Sequence, residues 1–95
     1  MIRQAEKIDT ETVFKLTRSL AEYHGDEADF RATLKDVLRD GFGEHPLYES
    51  WLAEIEGVPL ALATFFVTYS TFKGKAFLHL DNLYVKAYAR GYKLG

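Results

Sequence analysis

Ser50-Trp51-Leu52-Ala53-Glu54-Ile55, then Glu56-Gly57, then the run from Leu60 to Tyr69 decide how this chain folds. The first segment reads as an extended strand, and Glu56-Gly57 is a tight-turn pair that returns the chain beside it. Leu60 to Tyr69 is apolar on both alternating faces, with Leu62 and Phe66 on one and Phe65 and Val67 on the other. A strand of that kind belongs in the middle of a sheet. Phe72-Lys73-Gly74-Lys75 turns the chain again, and Ala76 to Val85 completes a three-strand meander.

Before Pro46 the pattern is helical. Ile2-Arg3-Gln4-Ala5 reads as a short first strand, and Asp9 or Thr10 caps the helix that follows, with Glu11 opposing the positive end of its dipole. Val13, Leu16, Leu20 and Ala21, with Thr17 between them, form one stripe at helical spacing. That helix ends near Tyr23-His24-Gly25. A second helix is expected from Asp29 to Asp40, burying Phe30, Leu34, Val37 and Leu38, with Gly41 as a left-handed cap. The order strand, helix, helix, three strands predicts an α/β (α+β) fold on a mixed, mostly antiparallel sheet, one domain over residues 1–95. Its last strand would be an uncovered edge.

Composition narrows the function. A formal charge of −2 lacks the cationic excess that phosphate neutralisation requires, so no nucleic-acid partner is expected. Lysine and arginine are dispersed, which argues against a polybasic membrane patch. The absence of cysteine removes disulfides, thiolate metal sites and thiol nucleophiles together, and fits a reducing compartment. Three histidines without close spacing give no metal signature. The first residues lack the apolar core of a signal peptide, and Leu60 to Val67 is too short to span a bilayer. A small soluble cytoplasmic domain is the expectation.

Leu83-Tyr84-Val85-Lys86-Ala87-Tyr88-Ala89-Arg90-Gly91-Tyr92-Lys93-Leu94-Gly95 is a strand running into a glycine-containing turn that should open a helix. Free backbone N–H groups at such a point cradle a phosphate, and glycines let the backbone approach it closely. A surface turn with a tail is the alternative reading of the same string.

Asp81-Asn82-Leu83-Tyr84-Val85 followed by Ala89-Arg90-Gly91-Tyr92-Lys93-Leu94-Gly95 resembles the coenzyme A motif of the GNAT N-acetyltransferases, a strand followed by Arg/Gln-Gly-x-Gly-x-Gly/Ala. Asp40-Gly41-Phe42-Gly43-Glu44-His45-Pro46-Leu47-Tyr48, Leu20-Ala21-Glu22-Tyr23-His24 and Phe66-Val67-Thr68-Tyr69-Ser70-Thr71 resemble, in the right order, diamine (spermidine/spermine) and thialysine acetyltransferases. The resemblance covers all 95 residues and about the first half of that family's domain.

What the resemblance implies is specific. Acetyl-CoA would be the co-substrate, with no metal. The backbone of Leu83 and Val85 would pair with the pantetheine arm, and the amides of Arg90, Gly91, Tyr92, Lys93 and Gly95 would hold the pyrophosphate. Asp81 and Asn82 would face the substrate amine, with Asp81 taking the proton that an ammonium must lose before it attacks. Tyr23 and His24 would line the acceptor site. Lys93 stands where the motif has its middle glycine, and Asn82 where a second carboxylate is expected, which favours a smaller or less charged amine. In the family the acid that protonates the departing thiolate is a tyrosine from a later segment. The 95 residues are therefore expected to be the N-terminal part of a polyamine- or lysine-directed acetyltransferase, without a complete active site of their own. The rival expectation is a truncated non-catalytic remnant acting as a homodimer or interaction module.

Without the resemblance, plainer roles apply. Asp81 is then a solvated carboxylate near a strand end, and His24 and His45 are surface loop residues. His79 is a structural histidine. Trp51, Phe65, Phe66, Phe72 and Phe77 are core or edge aromatics, and Glu54 and Glu56 lie on a solvated edge.

Overall fold

The structure is a computed structural model and describes residues 1–87. Strand β1 (Ile2–Gln4) leads into helix α1 (Thr10–Tyr23) and helix α2 (Leu34–Phe42). Strands β2 (Glu49–Ile55), β3 (Val58–Ser70) and β4 (Lys75–Val85) complete the order. Single 3-10 turns at Lys7–Asp9 and Glu27–Asp29 precede the two helices. The sheet runs β1-β2-β3-β4, and every pairing among the described residues is antiparallel. This is the order and class that the hydrophobic periodicity predicts, with β3 paired on both sides.

The β2–β3 turn follows from its two residues. Glu56 and Gly57 both take left-handed φ values, 52° and 79°, so the turn has the twist that suits two adjacent antiparallel strands. Glycine adopts that conformation freely, and no other non-glycine residue among those described does so.

One face of the sheet carries the core. Val13 and Leu16 of α1 and Val37 of α2 close on Ala5, Leu52 and Leu62, with Phe14, Phe42 and Tyr84 packed at the margin. Ser50 and Thr64 are buried on the same strands, their hydroxyls 3.5 Å apart. The opposite face is open. Ile2, Trp51, Leu83 and Val85 border a shallow apolar groove of about 270 Å³ there.

Four local expectations need correction. The second helix begins at Leu34, not Asp29, because Thr33 and Asp36 form a reciprocal capping box: Asp36 N–H donates to the Thr33 hydroxyl at 3.2 Å, and Thr33 N–H to the Asp36 carboxylate at 2.9 Å. Leu34 and Leu38 stay exposed as a result, and only Val37 of the predicted stripe is buried. Gly41 does not terminate α2 but lies buried inside it. A side chain there would come within 3.1–3.2 Å of the Tyr48 ring, so its smallness serves close packing. Phe72, placed in the β3–β4 turn and read as a core or edge aromatic, is fully exposed at that turn.

The fourth correction concerns Glu54, which is not a solvated edge residue. Arg3 gathers two carboxylates: its Nη1 and Nη2 donate to Asp9 at 2.7 and 2.9 Å, and its Nε to Glu54 at 2.5 Å. Both carboxylates are largely buried. Asp9 occupies the cap position of α1, yet its carboxylate accepts from Arg3 and from the Glu6 N–H at 2.8 Å, with no cap bond to the helix itself. The cluster thus ties β1, the start of α1 and β2 together.

The Arg3 guanidinium holds the Asp9 carboxyl below the ordinary carboxylate range. A carboxyl depressed in the folded state contributes stability that is complete above its unfolded value and is lost as pH falls through its folded one. Asp9→Asn is therefore expected to cost about 1–2 kcal/mol at neutral pH. It should also flatten the loss of stability on acidification below about pH 4. Urea denaturation at several pH values checks this, and an unchanged acid limb in the variant would contradict it.

Candidate active site

The C-terminal end of α1 is locked by its own backbone. His24 N–H donates to Leu20 O at 3.1 Å, Gly25 N–H to Glu22 O at 3.1 Å, and Asp26 N–H back to Ala21 O at 2.8 Å. Gly25 supplies the left-handed residue, φ 74°, that this reversal requires. The following turn is held by Asp29 N–H to Asp26 O at 2.9 Å, and Phe30 anchors it against the Phe14 ring, 5.7 Å between centroids. Tyr23, His24, Asp26 and Asp29 are thereby presented beside β4.

β4 carries the other half of the site. Thr64 pairs with Asn82 but Phe65 pairs with Leu80, so Asp81 is the extra residue of a β-bulge. A bulge re-aims the side chains around it and twists the strand. After it, Asn82 and Tyr84 face α1 while Leu83 and Val85 face away, by the alternation that puts Tyr84 against the core. The Tyr23 ring stands edge-on to Tyr84, 6.5 Å between centroids, and tilts against His24 at 5.5 Å.

Two adjoining clefts result, sharing Leu20 and His24. One, of about 220 Å³, is also lined by Thr17, Asp26, Asp29, Phe30 and Asn82. The second, of about 230 Å³, lies between Tyr23 and the backbone-rich end of β4 at Leu83, Tyr84 and Val85. No lysine or arginine lines either cleft, and neither Asp26 nor Asp29 enters an ion pair among the described residues. The first cleft is thus lined by two carboxylates, an amide and an imidazole with no lysine or arginine, a composition that suits a cationic amine.

The structure brings together Tyr23, His24, Asn82, Leu83 and Val85 of the residues singled out in the sequence. Asp81 sits at the bulge next to them but is exposed and lines neither cleft. Arg90, Gly91, Tyr92, Lys93 and Gly95 lie outside the described residues. Asp26, Asp29 and Tyr84 were not anticipated; the only signal was an acidic run after Gly25, which reads as polar loop. Of the remaining histidines, His79 rests on the Phe66 ring across the β3–β4 pair, 4.7 Å between centroids. No group of side chains suited to a metal ion occurs among the described residues.

The β-α-α-β-β-β arrangement is a fold shared with solved acetyltransferases: a possible acetyltransferase from Clostridium difficile 630 superposes with a TM-score of 0.77 at 23% identity, over 95% of this chain and 59% of its own. In sequence the chain is similar to thialysine and spermidine/spermine-type acetyltransferases. The bovine (Bos taurus) thialysine N-epsilon-acetyltransferase is 33% identical over 103 residues, covering 100% of this chain and 60% of that protein. The human (Homo sapiens) spermidine/spermine N(1)-acetyltransferase-like protein 1 is 31% identical over 101 residues, covering 99% of this chain and 14% of that one. Among solved structures, an aminoglycoside acetyltransferase from an uncultured soil metagenomic sample superposes with a TM-score of 0.75 at 16% identity, over 100% of this chain and 61% of its own. No protein-family model matches the chain. The chain spans about three fifths of the length of the thialysine acetyltransferase it matches. No helix among the described residues is long and apolar enough to cross a membrane.

Proposed function

We propose that this chain is the acceptor-side part of an acetyl-CoA-dependent N-acetyltransferase for a small primary amine of polyamine or lysine-like type. The observation that carries the proposal is the carboxylate-lined cleft between the end of α1 and β4, set against the outermost described strand. The geometry suits the co-substrate. β4 has no outer strand partner among the described residues, so its edge near Leu83 can pair with the amides of an extended arm, as one more strand would. That puts the thioester beside the bulge at Asp81, within reach of an amine held in the cleft.

The reaction balances as direct transfer. The amine nitrogen forms a bond to the acetyl carbon, the carbon–sulfur bond breaks, and coenzyme A leaves as thiolate, which takes up a proton. The amine must arrive uncharged at the moment of attack. Asp26 and Asp29 attract it as the ammonium; Asn82 and His24 orient it by hydrogen bonding. Asp81, the bulge residue next to Asn82 in the chain, is proposed to accept the proton that nitrogen loses. Tyr23 and Tyr84 form the apolar wall against which the carbon chain of the amine packs.

Release of free thiol from acetyl-CoA by the full-length protein that contains this part, followed with a panel of diamines, polyamines and lysine analogues, tests this reading. Thiol release that depends on a primary amine and is saturable in it is the expected result. Release indifferent to every amine in the panel, or none with any of them, overturns it.

A further inference from the structure

Helix α1 has a cavity on each flank of its buried stripe. Thr17, Leu20, Ala21 and His24, at helical spacing along one flank, line the carboxylate-bearing cleft. Thr12, Lys15, Leu16 and Ser19 repeat that spacing along the other flank and, with Arg18, line a different cavity. Pro59 at the start of β3 and Lys86 just after β4 complete its walls. At about 370 Å³ it falls within the range of about 300–1,000 Å³ typical of small-molecule sites. None of its residues takes part in the acetyl transfer proposed above.

Its side chains are opposite in character to those of the amine cleft. They include three cations, Lys15, Arg18 and Lys86, and no aspartate or glutamate. Lys15 pairs with Glu11 at 2.9 Å, but both side chains are well exposed, so the pair is worth little and is easily exchanged. Arg18 and Lys86 enter no ion pair among the described residues. The Arg18 guanidinium lies over the Phe14 ring, 5.5 Å from its centroid, with no acceptor for its N–H groups among the described residues. Lys86 is half-buried, and a lysine withdrawn from water is ordinarily paired. Thr12 and Ser19 are half-buried as well, and their hydroxyls make no hydrogen bond among the described residues. The neighbouring Thr17 hydroxyl, by contrast, donates back to Val13 O at 2.8 Å.

We propose that this cavity binds a phosphate group carried by a small organic molecule of nucleotide type, separate from the acetyl donor. What its donors lack is an anion with several acceptor oxygens. Arg18 offers a planar fork, Lys15 and Lys86 offer point charges, and Thr12 and Ser19 offer hydroxyls, a set that recognises phosphate. A carboxylate, with two oxygens, would leave part of that set unmatched. The cavity is larger than a bare phosphate needs, and Leu16 and Pro59 give it an apolar lining against which a flat ring rests.

Position separates this site from the amine cleft, with which it shares no residue. Occupancy of one leaves the other open, and the phosphate site does not depend on acetyl transfer. Its lining comes from α1, β3 and the residue after β4, so a ligand there binds only the folded chain and should raise its melting temperature.

Amide-resolved NMR titrations of the full-length protein that contains this part test the proposal, with adenosine monophosphate, inorganic phosphate and adenosine as titrants. Adenosine monophosphate is expected to move the amides of Thr12, Lys15, Ser19 and Lys86 saturably, inorganic phosphate to move them more weakly, and adenosine to leave them in place. Inorganic phosphate binding as tightly as the nucleotide would assign the site to free phosphate and overturn the organic carrier. Arg18→Gln and Lys86→Met should each weaken the nucleotide roughly tenfold or more, while Lys86→Arg retains most of the affinity. Circular dichroism matching wild type establishes that these substitutions leave the fold intact. Saturating acetyl-CoA should leave the nucleotide bound; its displacement from these four amides would overturn a separate site. No saturable shift at them, or an affinity unchanged in both the Gln and Met variants, would overturn the phosphate site itself.

Discussion

Leu52→Ala is expected to destabilise the protein by about 2–5 kcal/mol and to lower its melting temperature by at least roughly 8 °C. Leu52 has no exposed surface and belongs to the core cluster of the described residues, with residues of α1, α2 and the neighbouring strand β3. The substitution removes three carbon atoms from a site whose surroundings are fixed by the sheet on one side and two helices on the other, so the cavity cannot close fully. A chain of 95 residues has a total stability on the order of 5–14 kcal/mol, of which this is a large share. The same change at Leu38, which is 39% exposed, should cost much less. Equal losses at Leu52 and Leu38 would contradict the assignment of the core to one face of the sheet.

Asp81→Asn is expected to lower the rate of acetyl transfer by roughly 10²–10⁴-fold while leaving stability within about 0.5 kcal/mol of wild type. The asymmetry follows from its position. The residue is the extra one in the bulge and is exposed, so little packing depends on it. Its proposed work is to take the proton from the bound ammonium. Without it the amine must lose that proton to solvent, so the variant's rate should climb with pH toward the range where the free amine prevails. An amine of lower basicity should be affected less. Both signatures are absent if Asp81 merely shapes the strand. A variant with an unchanged pH profile would remove Asp81 from the chemistry and leave the cleft itself as the remaining claim.

How much of this was legible in the sequence depends on the range of the interaction concerned. The strands and their order followed from alternation along Ser50–Ile55 and Leu60–Tyr69 and from turn residues, all local signals. Helix α2 misled because Phe30 continues the apolar spacing of Leu34 and Val37. The decisive Thr33–Asp36 capping box is a polar feature that hydrophobic periodicity does not weigh. Glu54 read as a surface charge because Arg3, which neutralises it, lies 51 residues away. Gly41 read as a cap because the Tyr48 ring that demands its small size packs on it only after the chain has turned.

The site divided in the same way. Tyr23, His24, Asn82, Leu83 and Val85 were named through motif resemblance, and the fold brings them together at one end of α1. Asp26 and Asp29 carried no comparable signal, since an acidic pair after a glycine turn is ordinary loop composition. Their significance appears only once Phe30 pins the turn against Phe14 and faces it toward Asn82. The bulge at Asp81 was also invisible, because it is a mismatch in length between two strands and not a property of either.

The most direct test of the central claim, that the cleft between α1 and β4 is the acceptor side of an acetyl-transfer site, is a pair of amide-resolved NMR titrations of the chain. One titrant is a diamine and the other is acetyl-CoA. The account predicts that the amine moves the amides of His24, Asp26, Asp29 and Asn82, and that the coenzyme moves those of Leu83 and Val85 along the edge of β4. Shifts confined to the opposite end of the sheet, or no shift from either ligand at millimolar concentration, would contradict it.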